Sequence, residues 1–137
     1  MMFIMMFIIQ YVFMSYIMTN RIDNITNSIG KVYISTLMGL IMVFYMNLSM
    51  NLKTFINREN FIYIGLICIV IYLYKTQVGI NDAQYLQEMI EHHSMALLTS
   101  ENILKKTNNN YVADIAQRIR NTQEKEIAEM RNIIKLL

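Results

Sequence analysis

Proline is absent from this 137-residue chain, tryptophan is absent too, glycine occurs four times and cysteine once. With no proline and so little glycine, the turn signals of hairpins and β-sandwiches are missing, and helix is favoured throughout. The single cysteine, Cys68, cannot close an internal disulfide; in the run Leu66-Ile67-Cys68-Ile69-Val70 it serves as a small hydrophobe. Charge is scarce as well. A formal net charge of +2 with no basic stripe among aromatics excludes nucleic acid as a partner class. No nucleophile–base pairing, phosphate-binding glycine loop or Cys/His zinc array stands anywhere, so the chain reads as no enzyme.

What is present is apolar: 55% of residues are hydrophobic, and they are unevenly spread. Up to about Tyr74 the chain is nearly free of charge, whereas from Asn81 charged residues recur every few positions. The split predicts a membrane domain at 1–80 and a small polar domain at 81–137. Three apolar segments, at about 1–19, 32–50 and 61–79, predict three transmembrane helices embedded in a lipid bilayer. The first lacks a basic n-region and a small-residue cleavage site and reads as a retained helix, not a signal peptide. The third is apolar only from Phe61 to Tyr74; it reaches the roughly 20 residues a span needs if Thr76–Ile80 extend it and Lys75 snorkels. Tyr63, Tyr72 and Tyr74 lie towards its two ends, as an aromatic belt would place them. Loop charge leaves orientation open, because Arg21 and Lys31 in the first loop balance Lys53 and Arg58 in the second.

After Asn81 apolar positions recur at three and four. Leu86, Ile90, His93, Leu97 and Leu104 make one stripe; Val112, Ile115, Ile119, Thr122, Glu126, Met130, Ile133 and Leu137 alternate at three and four along a second helix. Asn81 or Asp82 can cap the first helix, and Thr107-Asn108-Asn109-Asn110 is the one obvious break. The expectation is a helical hairpin, about 82–106 and 111–136. Two such helices bury too little apolar surface to stand alone, so a homo-oligomer is predicted, most simply a four-helix bundle made by dimerisation.

The hairpin holds both histidines of the chain, His92 and His93, with Met89 and Met95 close by. Imidazole and thioether together suit copper, silver or another soft cation. On a helix Met89 shares a face with both histidines, and His92 lies one turn from Met95. Neighbouring residues point about 100° apart, so His92 and His93 do not chelate one ion within a chain. His93, aligned with Met89 and Leu97, is the better core-facing candidate. Met130, from the second helix, can complete the set, with Gln123 and Glu126 as hydrogen-bond acceptors that fix the imidazole tautomer.

These residues also carry a family resemblance. Met89-Ile90-Glu91-His92-His93-Ser94-Met95-Ala96-Leu97-Leu98-Thr99 resembles the motif M-I-P-H-H-S-x-A-I-L-T of the family known as domain of unknown function 305. Gln123-x-x-Glu126-Ile127-x-x-Met130 resembles its second motif, Q-x-x-E-I-x-x-M. The membrane segments, with Leu37-Met38-Gly39-Leu40 and Thr76-Gln77-Val78, look like a branch that carries three N-terminal membrane helices. The resemblance implies a ferritin-like hairpin outside the cytoplasm that binds copper or silver in metal handling or tolerance. Two departures stand out: Glu91 replaces the family's usual proline, and Thr99 stands where a methionine is common.

A di-iron site of the ferritin type requires Glu-x-x-His, and Met89 and Ile90 occupy the positions where those glutamates would be. Met38, Met42, Met46 and Met50 form a ladder along the second segment, either a thioether track or gap-filling packing. The function expected is therefore membrane-anchored binding of a soft metal ion. The alternative is a membrane-tethered assembly module in which the histidines are incidental.

Overall fold

The computed structural model describes residues 1–50 and 58–137. Lys53, counted in the second loop, lies outside the described residues. Those residues are all-α, with no strand among them. The chain runs through α1 (Met2–Ile8), a π-helical stretch (Ile9–Met14), α2 (Ser15–Met18), a short 3-10 turn (Ile22–Asn24), α3 (Ile29–Met50), α4 (Arg58–Lys75), α5 (Asp82–Leu104) and α6 (Asn110–Ile134). Two compact units result. The first joins Met1–Met14 to Ile29–Ile80; the second joins Ser15–Ser28 to Asn81–Leu137.

In the first unit α1 packs on α3 where the side chains are smallest. Ser35 and Gly39, one turn apart on α3, are both buried. A Cβ at Gly39 would come within 2.7 Å of the Phe3 ring and 3.2 Å of the Phe3 carbonyl oxygen. Such close approach is how helices associate where the surroundings are as apolar as their side chains. Phe3, Phe7 and Tyr11 stack in succession along the N-terminal helix, and Lys31 Nζ sits 4.8 Å from the Tyr11 ring. α4 meets α3 through polar groups: Asn47 Nδ2 donates to Asn60 Oδ1 at 3.1 Å and to Glu59 Oε2 at 3.2 Å.

Burial in this unit is inverted relative to a water-soluble core. Gly30, Ser35, Gly39 and Asn60 are buried, while Ile4, Val12, Phe13, Ile62, Leu66 and Ile69 are exposed. Every buried large hydrophobic residue among the described residues lies in the hairpin. α3 alone among the described helices is long and apolar enough to cross a membrane; Met2–Met18 is a shorter apolar helix.

The third apolar segment does not extend as its sequence suggested. α4 begins earlier, at Arg58, and ends at Lys75. The stop is local: Gln77 turns to a left-handed φ of 54°, its N–H donates to the Tyr74 carbonyl, and Val78 N–H donates to the Leu73 carbonyl. That is a Schellman closure, with glutamine where glycine is usual. Tyr33 Oη donates to the Val78 carbonyl and holds the turn against α3.

In the second unit the hairpin helices start on asparagines. Asn81 Oδ1 accepts from Gln84 N, and Asn109 Oδ1 accepts from Tyr111 N and Val112 N. Residues 105–109 form the link. The core is Ile90, Leu97, Ile127 and Met130, with Leu86, Met89 and Ile134 packed against it.

Candidate metal site on the helical hairpin

His93 stands at the seam between α5 and α6 with both ring nitrogens engaged. Nδ1 lies 2.7 Å from the Met89 carbonyl oxygen one turn back, and Nε2 lies 2.9 Å from Glu126 Oε2 across the hairpin. Gln123 Nε2 donates to the same Glu126 oxygen at 3.3 Å. Gln123 is thus a donor to the carboxylate and not an acceptor for the ring. The Met89 carbonyl can only accept, so Nδ1 is the donor there and Nε2 is the nitrogen turned towards the carboxylate, the orientation of a metal-ligating histidine held from behind. A proton or another cation between Nε2 and the carboxylate then completes the contact.

The thioethers lie one turn away on each helix. Met89 precedes His93 by four residues and Met130 follows Glu126 by four, so in antiparallel helices the two residues fall at one level. Met130 belongs to the buried core and Met89 packs against it. The imidazole is 23% exposed and the carboxylate 44%, while Met89 is half-buried and Met130 buried. His92 and Met95 are not gathered here: His92 is exposed and Met95 half-buried on other faces of α5. Among the described residues no three of His, Cys, Asp and Glu converge.

Ser94, which the sequence reading passed over, is fully buried. Its hydroxyl accepts from Asn20 N at 3.0 Å and Asn24 Nδ2 at 3.1 Å, and donates to Asn20 Oδ1 at 2.7 Å. Arg131, beside Met130, donates to Asn24 Oδ1 at 2.7 Å and to the Asp23 carbonyl at 2.9 Å. Glu91 Oε2 accepts from Thr26 N at 3.1 Å, and Thr26 Oγ1 donates to the Gln87 carbonyl at 2.6 Å. The loop at 20–26 is therefore strapped onto the hairpin. The only sequence signal for it was the departure at Glu91, where a proline could not offer that acceptor.

In the methionine ladder of α3, Met38 and Met50 are exposed while Met42 and Met46 are half-buried.

Comparison with known proteins agrees with the hairpin motifs. The family described as "Domain of unknown function (DUF305)" matches residues 77–137. Uncharacterized protein L153 of Acanthamoeba polyphaga mimivirus is 32% identical over 129 residues, covering 93% of this chain and 85% of its own length. That similarity extends well beyond the hairpin, into the apolar N-terminal segments. No solved structure matches the chain.

Proposed function

This chain belongs to the domain of unknown function 305 family, and we propose that it is a membrane-anchored protein whose hairpin binds copper or another soft metal ion in metal handling or tolerance. The observation that carries the reading is the posture of His93. Its Nδ1 is held by a backbone carbonyl and its Nε2 faces a carboxylate. Met89 and Met130 lie one turn away. A cation that replaces the proton between Nε2 and Glu126 gains a nitrogen and an oxygen at once, and the neighbouring sulfurs select for a soft ion. His93, Met89 and Met130 are the ligands on this reading, with Glu126 beside the ion and Gln123 orienting the carboxylate. His92 and Met95 drop to a subsidiary role. No catalytic step is needed.

The membrane reading, three spanning helices with the hairpin outside the cytoplasm, draws support from the inverted burial of the first unit. Serine, asparagine and glycine inside with isoleucine outside suits a hydrocarbon environment and is costly in water. Connectivity supports it further. The hydrogen bonds from Asn20, Asn24 and Thr26 to α5 require the first loop and the hairpin to share one side of a bilayer. A chain that crossed at α3 alone would separate them; a return through α4 brings them back together.

A dimer completing a ferritin-like four-helix bundle is the assembly we favour. The hairpin's buried core is small, and Ile103, Val112, Ile115 and Ile119 form an exposed apolar groove at its far end. The same groove supports the rival reading, a tethered assembly module whose histidine is satisfied by Met89 and Glu126 alone. Copper(I) competition titration of the full chain in detergent, with oligomeric state followed in parallel, separates the two. His93→Ala and Met89→Leu should each weaken binding at least about tenfold and leave the oligomer intact. Loss of the oligomer in metal-free variants would make these residues core elements and end the metal reading.

A further inference from the structure

We propose that Asn20, Asn24 and Thr26 of the first loop are positioning residues for the hairpin's donor set, clamping α5 and α6 in register directly behind His93 and Met130. The inference rests on the metal-binding reading above. Asn24 is the central link. Its Nδ2 reaches the Ser94 hydroxyl on α5 and Asn20 Oδ1, and its Oδ1 receives Arg131 from α6. Ser94 follows His93 in sequence and Arg131 follows Met130, so each foot of the clamp stands one residue from a proposed ligand.

Adjacent residues on a helix are about 100° apart, so donor set and clamp occupy adjoining faces of the same two helices. Rotating α5 to move His93 away from Glu126 also withdraws Ser94 from Asn24. The same holds for α6 with Met130 and Arg131. A second foot, Thr26 on the Gln87 carbonyl and on Glu91, restrains α5 one to two turns before Ser94. The clamp is built to resist: Ser94 is 0% and Asn24 3% exposed, so its hydrogen bonds have little water to exchange with. Metal ligands must be held to within about half an ångström of productive geometry, and partners behind them commonly matter ten- to hundredfold in affinity.

The test uses the full chain in detergent, with copper(I) as the probe ion, and two readouts on each protein: competition titration and amide hydrogen exchange of the metal-free form. Asn24→Ala should weaken copper(I) binding about tenfold and speed exchange around 90–97 and 127–131. Glu91→Ala should move both in the same direction, and Glu91→Gln, which keeps an acceptor for Thr26 N–H, should restore both. The Glu91 pair decides the matter if Asn24→Ala fails to fold. Faster exchange with unchanged affinity would reduce the loop to a structural brace and overturn the proposal. Unchanged exchange would overturn it whatever the metal does. A wild-type protein that binds no copper(I) would instead overturn the metal reading, and the positioning role with it.

Discussion

Replacing Ser94 by alanine tests the docking of the first loop in one atom. Two donors, Asn20 N–H and Asn24 Nδ2, point at the hydroxyl, and the hydroxyl donates to Asn20 Oδ1. The hydrogen bonds are worth about 1 kcal/mol each, and a buried donor left without an acceptor costs about 1–3 kcal/mol. Asn24 Nδ2 keeps one hydrogen on Asn20 Oδ1, so the Asn20 N–H and the second Nδ2 hydrogen are stranded. Alanine returns about 0.5 kcal/mol of helix propensity in the middle of α5. The net loss expected is about 3 kcal/mol, which for a unit of about 70 residues lowers the midpoint by roughly 15 °C. Ser100→Ala, at another buried serine of α5, is the control and should be neutral or slightly stabilising. Thermal melts followed by far-ultraviolet circular dichroism in detergent give the comparison. Equal midpoints for the two variants would refute the reasoning, because the loop's hydrogen bonds would then contribute nothing to the hairpin.

Gly39→Val places a branched side chain where even a Cβ would meet the Phe3 ring at 2.7 Å, so it should separate α1 from α3 and lower the melting temperature. Phe3→Ala, which removes the ring but leaves the Phe3 carbonyl in place, should recover part of that loss when combined with Gly39→Val. In a Cys68→Ser background, single cysteines at the exposed positions Ile22 and Asn108 should react with a membrane-impermeant maleimide from the same side of sealed vesicles. Labelling from opposite sides would sink the paired crossing of α3 and α4. If the hairpins pair as proposed through the groove at Ile115 and Ile119, Ile115→Glu with Ile119→Glu should give a monomer in light scattering with helix content unchanged; a dimer that survives would move the interface elsewhere.

The hairpin was legible because its information is local and periodic. On α5, Ile90 and Leu97 fall on the expected stripe and Asn81 caps where expected; on α6 the expected stripe is displaced by one face, since Val112, Ile115, Ile119 and Ile133 are exposed while Ala116, Ile127 and Met130 are buried. The choice of His93 over His92 as the inward histidine followed from the same arithmetic, and in the structure His93 lies at the seam while His92 is exposed. The strap was not legible. Asn20, Asn24 and Thr26 are the residues of any polar loop, and their partners lie 61–74 positions away with no period connecting them. The end of α4 was hidden for a different reason: Gln77 carries no glycine signal, yet it adopts the left-handed turn that stops the helix. Glu91 read in sequence only as a missing proline; its meaning required knowing that a backbone N–H arrives from Thr26.

The strap also fixes an order of events at the ribosome. Residues 15–28 leave the tunnel early, but the groups that hold them emerge last, with Arg131 bonded to the Asp23 carbonyl across 108 positions. Closing so long a loop is slow compared with helix formation. On the topology proposed here, α3 and α4 must be delivered to the membrane before Asn20 and Asn24 find Ser94. Until then these polar groups are left to water, and the last turns of α6 act as the latch that completes a unit begun more than a hundred residues earlier.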